Sequence, residues 1–151
     1  MKLANALSQR AELQTRIRQL EARLYNNAQV QEGERPAEDP EELLKELEED
    51  YARLEELISA VNRTNSAART EDGRTLSDLL ARRECLKGRL GILRNFLDNA
   101  SALVRRRTAG EIKVKSTVNV REMQKKVDGL SKELRELEEV IQEKNWTTEL
   151  L

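Results

Sequence analysis

Eight side chains in this 151-residue sequence have the type and spacing to grip a small anion: Arg10, Asn62, Arg63, Asn65, Arg74, Arg82, Arg83 and Trp146. A guanidinium presents a planar fork that matches carboxylate or phosphate, an amide adds a neutral donor, and an indole offers a stacking face. The same residues, matched to carboxylates, would instead form a closed polar network that fixes helix register. Candidate internal partners are Glu71, Asp72, Asp78, Glu84, Glu143 and Glu149. The two readings differ in whether the acids match the arginines.

Other chemistry is narrowed by what is missing. There is no histidine and a single cysteine, Cys85. Ser-His-Asp, Cys-His and His-based zinc mechanisms are therefore excluded, as is an internal disulfide. Acid runs such as Glu41-Glu42 and Glu46-Glu48-Glu49-Asp50 lack the Glu-x-x-His pairs of a di-metal bundle and read as a solvated face. No catalytic residue, cofactor or metal site is expected. Cys85, beside the apolar Leu86, reads as a small semi-buried side chain rather than a reactive thiol.

These residues must be positioned by helices. Charged residues make up 36% of the chain and aromatics 3%, with only 6 Gly and 2 Pro, the composition of long helices or coiled coils. Leu3, Ala6, Arg10, Leu13, Ile17, Leu20 and Leu24 step by three and four and predict a helix over about 2–28. Gly33, Pro36 and Pro40 break the period; Asp39-Pro40-Glu41-Glu42 then supplies an N-cap and a proline at the first helical position. Helix 2 is expected over 40–69, its seam reading Leu44, Leu47, Tyr51, Leu54, Ile58, Val61, Asn65, Ala68, widened by Leu43 and Leu57. The Asp72-Gly73 turn and a Thr75/Asp78 cap start helix 3, over 76–105, on Leu76, Leu79, Arg83, Leu86, Leu90, Leu93, Leu97, Ala100 and Val104. Asn119 with Glu122 caps helix 4, over 120–144, on Val120, Met123, Val127, Leu130, Leu134, Leu137 and Ile141. Trp146 falls in a tail beyond the repeat.

Between helices 3 and 4, Glu111-Ile112-Lys113-Val114-Lys115 alternates polar and apolar residues and predicts a short half-buried strand, free to meet Gln29–Gln31 in a small ladder. The fold class expected is all-α in a single domain, 1–151: an antiparallel four-helix bundle, or paired long helical hairpins of coiled-coil character that bury their remaining apolar faces against another copy. In either arrangement helix direction alternates. The seam breaks Arg10, Asn65 and Arg83 then gather at one end, with Asp72-Gly73-Arg74, Arg82 and Trp146.

With 27 basic and 28 acidic residues the chain has no global field to draw it to nucleic acid or an anionic membrane, and neither is an expected partner. Arg105-Arg106-Arg107 reads as a solvated basic helix end. No run of 18 apolar residues and no uninterrupted apolar leader occur, so the chain is read as cytoplasmic.

Asn62-Arg63-Thr64-Asn65, Gly73-Arg74-Thr75-Leu76 leading to Ala81-Arg82-Arg83, Glu111-Ile112-Lys113, and Ile141-Gln142 with Asn145-Trp146 and Glu149-Leu150 resemble the small bacterial family often labelled septicolysin. The resemblance spans helix 1 and the chain from Val30-Gln31-Glu32-Gly33 onward. It implies an uncharacterised helical protein whose label suggests a membrane-active lysin. From the residues themselves the leading expectation is a non-enzymatic, self-associating interaction or structural protein. The alternative is a binder of a small anion or nucleotide phosphate, or an enzyme of unrecognised type, built on the polar end.

Overall fold

The computed structural model describes residues 1–102 and 112–151. Four helices account for most of them: α1 (Leu3–Asn26), α2 (Pro40–Ala67), α3 (Leu76–Ser101) and α4 (Val120–Thr147). The starts follow local chemistry. Asp39 accepts the Glu41 amide at 3.0 Å with Pro40 at the first helical position, and Asn119 accepts the Glu122 amide at 3.1 Å. Thr75 and Asp78 exchange hydrogen bonds in a reciprocal capping box. Gly73, at φ 84°, makes the turn that precedes it.

Helix α1 has no such cap, because Lys2 offers no side-chain acceptor. Its orphan amide is satisfied from the far end of the chain: Leu3 N–H donates to the Thr148 carbonyl at 2.9 Å, and Leu150 N–H returns to the Met1 carbonyl at 2.8 Å. Next to this bridge, Leu151 N–H donates to Thr64 Oγ1 at 2.9 Å, and Thr64 Oγ1 donates to the Ala60 carbonyl at 2.8 Å. A second isolated bridge, Arg69 with Thr75, ties the end of α2 to the start of α3. The start of α1, the end of α2, the start of α3 and the end of α4 thus meet, as alternating helix direction requires.

The apolar interior follows from that meeting. Leu3 and Ala6 of α1, Leu57 and Val61 of α2, Leu76 and Leu79 of α3, and Leu137 and Ile141 of α4 form one four-helix junction. Away from it the chain packs as two hairpins. In the α1–α2 arm the buried residues are Ile17, Leu20, Leu43 and Leu54; in the α3–α4 arm they are Leu86, Leu90, Leu97 and Val127. Helices α1 and α2 pack along one another, as do α3 and α4, whereas the contacts of α1 with α4 and of α2 with α3 are few. The all-α fold is therefore a pair of long helical hairpins joined through a short bundle.

Several expectations need correction. The strand over 111–115 is absent where it is described: residues 112–115 are irregular, Ile112 is 94% exposed, and no ladder joins them to Gln29–Gln31. Alternation alone cannot make a strand without a neighbour to accept its backbone hydrogen bonds. Helix α3 ends at Ser101, short of 105; Val104, Arg105-Arg106-Arg107 and Glu111 lie outside the described residues. Helix α4 continues through Thr147 and takes up Trp146. Cys85 is exposed.

On α2 the expected seam is buried only in part. Leu43, Asp50, Leu54, Leu57, Val61 and Thr64 turn inward, while Leu44 and Tyr51 remain half in water. The helix carries two apolar edges one residue apart, and α1 covers only one of them, admitting Asp50 because Arg16 faces it.

Stability should therefore concentrate at the junction. Leu79→Ala and Ile141→Ala, both at fully buried positions, are expected to cost about 2–5 kcal/mol each in chemical denaturation. Ile92→Ala, on an exposed flank, should stay within about 0.5 kcal/mol.

Candidate functional site

The junction end assembles the predicted polar residues, but they do not converge on one point. Arg74, in the turn before α3, places Nε and one terminal nitrogen 2.7 Å from Asp72 Oδ2. Thr70 donates its hydroxyl to the same aspartate. These donors hold the Asp72 carboxyl down at about 2, against an ordinary value of 3.8. Arg82, two turns into α3, is paired across the hairpin with Glu133 of α4. Both arginines therefore meet an acid of their own chain, and one of those acids, Glu133, was not among the expected partners.

The remaining candidates are dispersed. Arg63 is exposed and reaches the Leu151 carbonyl at 3.4 Å. Asn62 is exposed, and Asn65 is half-buried. Trp146 is 61% exposed on the last turn of α4. Arg10 lies one turn beyond the buried Ala6, and Arg83 one turn beyond the buried Leu79. Both are half-buried, and neither has an ion pair among the described residues. That is the position in which an arginine lays its stem on apolar surface and keeps its guanidinium in water. It costs far less than the burial expected from the seam pattern.

Two shallow grooves flank Arg74. One, of about 390 Å³, is lined by Thr70, Glu71, Asp72, Arg74, Val140, Glu143 and Lys144. Its neighbour, of about 270 Å³, is lined by Arg74, Leu79, Arg82, Glu133, Glu136, Leu137 and Val140. Across the pair, five acids face two arginines and one lysine. Added to the pairing of Arg74 and Arg82, that excess of carboxylates opposes capture of an anion. Of the remaining named acids, Asp78 caps α3, Glu149 lies 2.6 Å from Lys2 Nζ and 3.1 Å from the Met1 amine, and Glu84 is exposed with no ion pair among the described residues. No group of three or more acids or cysteines among the described residues is arranged to hold a metal ion.

The one buried charge among the described residues lies elsewhere, in the α1–α2 arm. Asp50 is buried, with Arg16 Nε 2.9 Å from its Oδ2 but off a hydrogen-bonding line. Toward the tip, Arg23 makes a two-pronged pair with Glu38 at 2.5–3.1 Å. The buried Asn27 accepts the Glu38 amide at 3.0 Å and donates to the Arg23 carbonyl at 2.8 Å. A readable signal existed: Arg16 and Arg23 stand seven apart on α1, opposite Glu46 and Asp50, four apart on α2, which is the flanking charge pattern of a coiled coil.

Two outcomes follow. Removing Arg16 by Arg16→Ala leaves a buried carboxylate without its partner and should cost about 1–3 kcal/mol, whereas Asp50→Leu should be neutral or stabilising, as read by urea denaturation. The carboxyls of Asp72, Asp78 and Glu149 are all held below their ordinary values, Glu149 chiefly by its bond to Lys2 and then by the Met1 amine. Depressed acids contribute stability that is complete above their unfolded values near 4 and disappears as pH falls through the folded ones, for Asp72 down to about 2. The melting temperature should accordingly drop between pH 5 and pH 2, and Glu149→Gln should lower it at pH 7 while shrinking that drop.

No curated protein matches the chain. Among solved structures it is similar to a functionally unknown conserved protein from Corynebacterium diphtheriae, with 41% identity, a TM-score of 0.92, and coverage of 100% of this chain and 99% of that one. The two hairpins and their junction therefore recur in an experimental structure. A family of unknown function, DUF6847, matches residues 10–150, from the first seam arginine to the penultimate residue given; the chain belongs to that family.

Proposed function

We propose that this protein is a non-enzymatic, self-associating helical interaction module that works in the cytoplasm by presenting the flanks of its two arms. One observation carries the reading. The accessible surface is 11404 Å², whereas a compact monomer of this mass would expose about 7,900 Å². Two-helix arms that touch only at a junction leave their outer faces uncovered, and those faces include Leu44, Tyr51, Ile92 and Phe96, each at least 41% exposed. Exposed apolar side chains grouped along helices mark association surfaces more often than catalytic ones. The internal pairing of Arg74 and Arg82 supports the same reading.

A binder of a small anion or nucleotide phosphate is the second reading, favoured by Arg10 and Arg83, which have no ion pair among the described residues. The septicolysin resemblance would make the protein a membrane-active lysin. Among the described residues no helix is long and apolar enough to cross a membrane. The family to which the chain belongs is one of unknown function and carries no such label.

Sedimentation velocity over 1–200 μM protein tests the leading reading. Association within that range is the expected outcome. A monomer throughout, with a melting temperature raised by millimolar phosphate or nucleotide, would replace it with the anion-binding reading. Leakage of dye from vesicles on adding the pure protein would instead favour the lysin.

A further inference from the structure

Helices α2 and α3, one from each arm, differ in charge. Helix α2 carries eight acids and three bases, and α3 carries three acids and five bases. The difference is organised in stripes. On α2, Glu41, Leu44, Glu48, Tyr51, Glu55 and Ile58 alternate acid and apolar residue at steps of three and four. All but the half-buried Ile58 are exposed, and none of the three glutamates has an ion pair among the described residues. On α3, Arg82, Cys85, Arg89, Ile92, Phe96 and Asn99 step the same way and are all exposed. Arg89 has no ion pair among the described residues, and Arg82 meets only Glu133. Both stripes span 17 residue steps, about 25 Å of helix.

Resting on the self-association reading above, we infer that the acidic α2 stripe of one copy docks on the basic α3 stripe of a second copy, and that the reciprocal contact closes a two-fold dimer. Complementarity selects the occupant. Two α2 stripes would set Glu41, Glu48 and Glu55 against their own kind, and two α3 stripes would oppose arginines, whereas α2 on α3 joins acid to base and Leu44 and Tyr51 to Ile92 and Phe96. One molecule carries both stripes, so a two-fold axis repeats the contact and leaves neither stripe open to a third copy.

Area sets the strength. A helix face about 25 Å long and about 10 Å wide gives roughly 250 Å² per stripe, so two reciprocal contacts bury roughly 1,000 Å² in total, at the low end of specific interfaces. The dimer should therefore be weak and sensitive to salt, since charges on an exposed stripe are screened within about 10 Å at 0.1 M.

Sedimentation velocity of the full chain tests this with three proteins: wild type, the α2 reversal E41K/E48K/E55K and the α3 reversal R82E/R89E, each checked for unchanged helicity by circular dichroism. Wild type should dimerise in 50 mM NaCl and lose about tenfold or more in affinity by 500 mM. Each reversal should be monomeric alone, and an equimolar mixture of the two should restore a heterodimer, because both contacts then join opposite charges again. Restoration also protects against misreading a folding defect, since an unfolded variant cannot complement. Labelling of Cys85, the lone thiol on the α3 stripe, should slow on dimer formation.

A wild-type dimer that survives both reversals and high salt would overturn this interface while leaving self-association standing. A monomer at every concentration and salt would overturn both. A salt-dependent change of sedimentation coefficient that is independent of concentration would show the two arms closing on each other, and would overturn the second copy as occupant.

Discussion

The clasp between the first and last residues of the chain is the constraint on which the other features depend. Leu3 has no local acceptor to start its helix, and Leu150 and Leu151 have no helix to continue, so each satisfies the other's exposed backbone. With α1 and α4 held together there, and α2 and α3 held by the Ala68–Leu76 turn, four helix ends surround Leu3, Ala6, Leu76, Leu79 and Ile141. The arms need no further mutual contact. Each is a two-helix hairpin with a seam of its own, and each is too narrow to cover both sides of its helices.

That narrowness explains the distribution of polar groups. A two-helix seam leaves its edges wet, so Arg10 and Arg83 can occupy half-buried seam positions without a buried partner. Asp50 shows the opposite case: deeper in the α1–α2 seam, it stands beside Arg16. The pairing is the kind that specifies register more than it adds stability, since sliding α1 past α2 by one turn would leave a charge stranded.

Much of this was legible in the residues. Caps at Asp39, Thr75 and Asn119 are local chemistry and located three helix starts, and alternating direction brought the polar residues to one end. Which edge of α2 turns inward was not legible, because Leu43/Leu57 and Leu44/Tyr51 are equally apolar and only the partner helix decides. The strand at 112–115 was misread because alternation reports a half-buried surface only when something buries it. The gathering of polar residues at one end was legible, but the partner of Arg82 was not: Glu133 lies 51 positions away and has no local signature.

The clasp also has a consequence in time. Thr148 is synthesised long after α1, and until it and α4 arrive α1 lacks the acceptor for its first amide and the junction lacks Leu137 and Ile141. The α1–α2 hairpin can zip early from neighbouring contacts, but Leu3, Ala6, Leu57 and Val61 must wait uncovered through synthesis of the second hairpin. At about 5–20 residues per second, the 84 residues from Ala68 to Leu151 take roughly 4–17 s. During that interval the nascent chain shows an apolar end to its surroundings. Closure of the junction is therefore cooperative and late: the first hairpin must wait for the second before its apolar end is covered.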